Sequence, residues 1–213
     1  MSEQQEQPKR QPMQERIVAA AVRVMGERGV TNATTKEIAR EAGVSEGSLY
    51  NHFENKAALF GAAFGLVTSG IRSAMQELFA STGQGTVEGN LARFAATAIR
   101  FYGELLPMTG SVLADREVLG WLQRTGRAGG LSQGHAALVR YLEAERETGR
   151  LAPEAQPPYL AAAVLGACQH RAFAALVGGS AVEQPPGLDA DVDEYARGVV
   201  RVLLSAQAAW GEA

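Results

Sequence analysis

Between Ser45 and Lys56 the chain gathers Ser45, Glu46, Gly47, Ser48, Tyr50, Asn51, His52 and Lys56. No Cys or carboxylate stands at metal-ligand spacing from His52, so the chemistry on offer is recognition by hydrogen bonds and charge. Glu46, Gly47, Ser48, Tyr50, Asn51 and His52 are short or planar polar groups suited to a groove edge or a phosphate. Each has a plainer use. Tyr50 can serve in packing, His52 can cap a helix end, and an isolated Lys56 would be solvated surface.

These groups need helices to hold them, and the flanking residues supply the signals. Residues 13–28 carry Ile17, Ala21, Val24, Met25 and the Arg28 stem on one helical stripe, and Gly29 stops it. Thr34-Thr35-Lys36-Glu37 has capping-box spacing for a short second helix with Ile38, Ala39 and Ala42 inside. Gly43 suits a left-handed turn, and Ser45 can cap a third helix running to about His52, with Leu49 and Phe53 inward. Asn55 then caps a longer helix, with a stripe from Phe60 to Leu78. Two short helices joined by Gly43-Val44-Ser45 form a helix-turn-helix candidate, whose second member can enter a major groove.

Residues 13–60, above all Thr34-Thr35-Lys36-Glu37-Ile38-Ala39 and the run from Ala42 to Lys56 with its Leu-Tyr-x-His-Phe-x-x-Lys pattern, closely resemble the DNA-binding domain of the tetracycline-repressor (TetR) family. The resemblance implies a homodimeric transcriptional regulator, usually a repressor, that binds double-stranded operator DNA and responds to a small-molecule effector. It implies that Thr35, Tyr50, His52 and Lys56 clamp phosphates, while Ser45, Glu46, Gly47, Ser48 and Asn51 lie at or near base edges. Gly47 can make room for the duplex instead of touching it. The implied division is a flexible tail at 1–12, a head at 13–58 and an effector-binding and dimerisation body at 59–213.

The body also reads as helical, giving an all-α chain. A fifth helix carries Leu91, Phe94, Ala98, Phe101 and Tyr102, and Pro107 is expected to interrupt it. Further helices are expected at 112–125, 135–148, 155–177 and 189–210. Phe94, Phe101, Tyr102, Trp121, Tyr141 and Phe173 are candidate walls of an effector cavity, with Arg124, Gln169 and His170 for polarity; ordinary core packing or surface pairing is an equal use of each. Leu160, Val164, Ala167, Arg171 and Ala174 form one apolar stripe. With Val199, Leu203, Ala206 and Trp210 they are the expected dimer face. The helix from Phe60 to Leu78 is expected to transmit effector binding to the head.

Enzymatic chemistry finds no support. Ser111 and Ser132 lack a nucleophile elbow, no Gly-Lys-Thr phosphate cradle occurs, and Cys168 and His170 fall on different sides of a helix. The single cysteine excludes an internal disulfide and a cysteine zinc knot, and neither metal nor cofactor is expected.

With 213 residues, 46% hydrophobic, 20% charged and a mean hydropathy of −0.09, the composition is globular. Net charge is −3, yet residues 9–62 hold eight Lys or Arg against six acids. Apolar runs interrupted by Arg, Glu or Gly predict no bilayer span, and Met1–Pro12 lacks a secretory pattern, so a cytoplasmic location is expected. Two other readings remain: an activator or effector-independent repressor, and a small-molecule-binding helical protein with a structural helix-turn-helix.

Overall fold

The computed structural model describes residues 12–114, 130–178, 185 and 187–209, with the side chains of 111–114, 130–132 and 206–209 outside that description. The described elements are eight helices: α1 (Met13–Asn32), α2 (Thr35–Ala42), α3 (Glu46–Tyr50), α4 (Lys56–Ala80), α5 (Val87–Ala114), α6 (Gly130–Glu147), α7 (Pro157–Gly178) and α8 (Val192–Ala209). The fold is all-α, with an N-terminal helix-turn-helix bundle and a C-terminal helical body.

The head is built by local rules. Ile17, Ala20, Ala21, Val24 and Met25 of α1 are buried against Ile38, Ala39, Leu49 and Phe53. Gly29 breaks the helical path at φ 75°, where a side chain would be strained, and one further turn carries α1 to Asn32. At the start of α2 the Glu37 amide donates to the Thr34 hydroxyl at 3.2 Å while the Thr34 amide donates to the Glu37 carboxylate at 3.2 Å. The Asn55 side chain accepts the Ala58 amide at 2.8 Å and so starts α4.

α5 is the central post. It packs against α1, α4, α7 and α8, so the core runs without interruption from head to body. Leu91, Phe94, Ala95, Ala98, Ile99, Tyr102, Leu105 and Met108 are all buried. Pro107 does not interrupt this helix: α5 continues to Ala114 with Pro107 inside it. Burial of Leu105 and Met108 on either side outweighs the roughly 3 kcal/mol that an interior proline costs. Residues 112–114 therefore belong to α5, and the rest of the expected 112–125 helix lies outside the described residues.

The later helices differ at their ends. α6 begins at Gly130 and contains Gly134, both expected to lie in a separating loop. α7 begins at Pro157, a residue whose missing N–H costs nothing in a first helical turn. At the start of α8 the Asp191 carboxylate accepts the amides of Asp193 and Glu194, both at 2.8 Å, and these bonds hold its pKa below the usual value. By length and composition alone, α4 and α7 are apolar enough to cross a membrane, with mean hydropathy 1.3 and 1.5. That corrects the expectation that no segment approaches such a span. Within the fold α4 packs on α1 and α5, and α7 packs on α5, α6 and α8.

Candidate nucleic-acid interface

The turn between α2 and α3 is fixed from both sides. Gly43 takes φ 66°, ψ 40°, and its amide reaches back to the Ala39 and Arg40 carbonyls. From α1, Arg16 Nη2 donates to the Ala42 carbonyl at 2.6 Å. Ser45 then accepts the Ser48 amide at 3.1 Å, and the Ser45 and Ser48 hydroxyls lie 2.9 Å apart. The expected caps and turn are therefore formed, and they leave α3 outermost on the head, with Leu49 buried and Ser45, Glu46, Gly47, Tyr50, Asn51 and His52 exposed.

A chain of hydroxyls ties this face to α2. Thr35 Oγ1 donates to Glu46 Oε1 at 2.6 Å, and Tyr50 Oη lies 3.3 Å from Thr35 Oγ1. Thr35 has a single hydroxyl hydrogen and the carboxylate only accepts, so Tyr50 is the donor to Thr35. Thr35, Glu46 and Tyr50, named separately in the sequence, thus form one unit.

Lys56 sits differently from a free surface lysine. Its Nζ donates to the Thr31 carbonyl at 3.0 Å, joining the start of α4 to the end of α1, and burial lowers its pKa from the ordinary lysine value. Two further N–H donors remain on the ammonium. Most other head cations are also engaged: Arg23 pairs with Glu41 at 2.8 Å and Arg28 with Glu37 at 2.9 Å. Lys36 and Arg40, by contrast, are exposed and have no ion pair among the described residues. One helical turn apart, they share a face of α2 beside Thr35. Neither was among the expected contact residues, although the signal was present in a lysine directly following Thr35 in the first turn.

Those of the expected cavity residues that are described divide between the core and the surface. Phe94 is buried in the core, Tyr102 is buried against a half-buried Phe101 with ring centroids 5.3 Å apart, and Gln169, His170 and Phe173 are exposed on α7. Tyr141 is fully buried in a polar knot. Its hydroxyl accepts from Asn90 Nδ2 at 3.2 Å, and burial pushes its pKa up to about 12. A groove of about 290 Å³ between α4, α5 and α8 includes Phe94 and is otherwise largely polar, with Glu77, Arg93, Arg100 and Asp193. Trp121 and Arg124 lie outside the described residues.

The expected dimer stripe is likewise split. Leu160 and Val164 fill the chain's own core at 2% and 0% exposure, while Ala167, Arg171 and Ala174 are half-buried. Arg171 donates to the Ala190 carbonyl at 3.1 Å and lies over the Tyr195 ring. Val199 and Leu203 are half-buried; the Ala206 side chain and Trp210 lie outside the described residues. The outward apolar groups are instead Tyr159, Phe173, Leu176 and Val177 of α7 and Val202 of α8, with Val177 67% exposed. Among the described residues no group of three or more His, Cys, Asp or Glu is placed to hold a metal.

Residues 17–63 match the model of the bacterial regulatory proteins of the tetR family. The chain is 47% identical over 51 residues to the HTH-type transcriptional repressor BepR of Brucella suis, covering 24% of each chain. It is 42% identical over 45 residues to the HTH-type transcriptional regulator YerO of Bacillus subtilis, covering 21% of this chain and 16% of that one. The chain thus matches a quarter or less of the length of these relatives. Across the whole fold it is similar to SmeT, the repressor of the Stenotrophomonas maltophilia multidrug efflux pump SmeDEF, with TM-score 0.66, 21% identity, and coverage of 92% of this chain and 90% of that one. The matched head, residues 17–63, is thus that of the bacterial regulatory proteins of the tetR family.

Proposed function

We propose that the protein is a homodimeric, sequence-specific DNA-binding regulator that represses transcription until a small-molecule effector releases it from its operator. The observation that carries this reading is the outer face of α2 and α3. There a polar, exposed surface carrying Lys36 and Arg40, which make no ion pair among the described residues, stands on a helix pair fixed by caps, Gly43 and Arg16. Gly47 supports it. A Cβ there would meet only Ser45 Oγ at 3.9 Å, so packing among the described residues does not require glycine at this helical position, where it costs about 0.5–1 kcal/mol relative to alanine. Close approach of a duplex would.

In this reading residues 13–58 read DNA, with the Thr35 backbone amide at the start of α2, His52 and Lys56 at phosphates, Tyr50 beside them with its hydroxyl turned to Thr35, and Ser45, Glu46, Ser48 and Asn51 toward base edges. The body from residue 59 binds effector and partner, and the protein acts in the cytoplasm. BepR and SmeT, both named as repressors, favour repression. The second subunit covers the outward apolar face of α7 and α8 around a twofold axis, since large exposed apolar patches mark interaction surfaces. Both α4 and α5 touch α1, so α5 shares the transmitting role first expected of α4 alone.

The test is linkage. An effector that releases DNA must bind operator-bound dimer more weakly than free dimer, by the same factor by which it weakens DNA binding. Calorimetry on both forms with a hit from a small-molecule screen is expected to give unequal affinities; equal affinities contradict release. Phe173→Glu is expected to shift the dimer to monomer in analytical ultracentrifugation, and an unchanged dimer contradicts the assigned face.

A further inference from the structure

We infer that Glu46 selects a cytosine in each half-site by accepting its exocyclic amine, with Thr35 as the residue that positions the carboxylate. This rests on the proposal that α3 enters the major groove, and it names what one residue of that helix reads.

The carboxylate is held by one oxygen only. Thr35 Oγ1 donates to Glu46 Oε1 at 2.6 Å, and Tyr50 stands behind Thr35 at 3.3 Å, so the chain of donors ends on Glu46. Glu46 is exposed, and its other oxygen, Oε2, has no hydrogen-bond or ion-pair partner among the described residues. Its neighbour Ser48 is already engaged with Ser45 through both amide and hydroxyl. Glu46 is thus the one carboxylate in α3, fixed at one oxygen and open at the other.

An ionised carboxylate can only accept, and it approaches a duplex against the field of the phosphates. It is tolerated where the facing base offers a donor. In the major groove guanine presents the acceptors N7 and O6, and thymine presents O4 and a methyl group; donors come only from cytosine N4 and adenine N6. Adenine sets its N7 acceptor beside N6, where its lone pair repels the approaching carboxylate, whereas the cytosine edge presents the amine alone. Cytosine is therefore the matched base. A glutamine at this position has both an acceptor and a donor and would pair with adenine N6 and N7 together.

The experiment is enrichment from a random duplex pool by the full-length protein, comparing the wild type with Glu46→Gln, Glu46→Ala and Thr35→Val. The wild-type half-site is expected to hold one position where cytosine exceeds guanine and thymine by about tenfold. Glu46→Gln is expected to move that position to adenine and leave the others unchanged. Glu46→Ala is expected to bring all four bases there within about twofold while tightening binding to unselected DNA. Thr35→Val is expected to keep cytosine first with a smaller ratio. Unchanged base preference in Glu46→Ala and Glu46→Gln overturns the inference while leaving the regulator reading intact. Absence of any enriched sequence with the wild type overturns the regulator reading itself, and this inference with it.

Discussion

The ammonium of Lys56 donates to the carbonyl of Thr31 at 3.0 Å, so one side chain both closes the head and stands at its proposed phosphate face. Lys56→Ala is expected to act twice. Loss of the hydrogen bond lowers stability by about 0.5–1.5 kcal/mol. Loss of a phosphate contact reduces the salt dependence of DNA binding by about 0.9 in logarithmic slope, with similar loss on matched and mismatched sites. Urea unfolding and a salt titration read the two separately. A lowered midpoint with an unchanged slope would leave Lys56 as a purely structural residue.

Gly43 offers a second test, since two physical effects coincide there. At φ 66° any L side chain is strained, and a Cβ would stand 3.2 Å from Arg16 Nη2, the same nitrogen that donates to the Ala42 carbonyl. Gly43→Ala is expected to destabilise the protein by about 1–2 kcal/mol and to weaken DNA binding through a displaced α3. A thermal melt matching the wild type would show that the turn relaxes freely.

In the body, Glu145 is fully buried and pairs with Arg150 Nε at 2.7 Å. Arg150 also donates to the carbonyls of Gly83, Gln84 and Gly85 at 2.9–3.0 Å, joining the turn after α4 to the end of α6. Glu145→Ala leaves a half-buried guanidinium without its counter-charge and is expected to cost about 1–3 kcal/mol. The exposed Arg23–Glu41 pair has the same 2.8 Å scale of separation, yet Glu41→Ala is expected to cost at most about 1 kcal/mol. Denaturant midpoints compare the two, and equal losses would refute the role given to burial.

Acid should loosen the head through Glu37. Hydrogen bonds from Thr34, chiefly its side chain, and the charges of Arg28 and Arg40 hold the Glu37 carboxyl below its ordinary pKa of 4.5. A carboxylate with a depressed folded-state pKa binds protons more readily in the unfolded chain. Its stabilisation is therefore complete above the ordinary value and is lost as pH falls below it toward the folded-state pKa. Glu37→Gln is expected to lower stability at pH 7 and to flatten the decline between pH 5 and the acid limit. Parallel wild-type and variant curves would show that the cap does not contribute to acid sensitivity.

The head was legible because its signals are local. Thr34 and Glu37, Ser45 and Ser48, and Asn55 and Ala58 are each three residues apart, and Gly43 marks its own turn. Contacts between helices were not legible in that way. Nothing in the spacing of Thr35 and Glu46 shows that they meet, and only the folded head reveals that, among the described residues, Lys36 and Arg40 make no ion pair like those of Arg23 and Arg28. α7 was ambiguous for another reason: Leu160 and Val164 on one side and Phe173 and Val177 on the other are all apolar, so periodicity cannot say which side meets the core. Pro107 was misjudged because local propensity was weighed without the burial of Leu105 and Met108.

The central claim is that the outer face of α2 and α3 reads a specific duplex as a dimer. Its most direct test is selection of genomic DNA by the purified full-length protein, followed by footprinting of the enriched fragments. The predicted result is protection of a short inverted repeat whose half-sites lie about one helical turn apart, near 34–36 Å, or modestly further. Binding that follows bulk DNA charge alone, with no protected site, would contradict it.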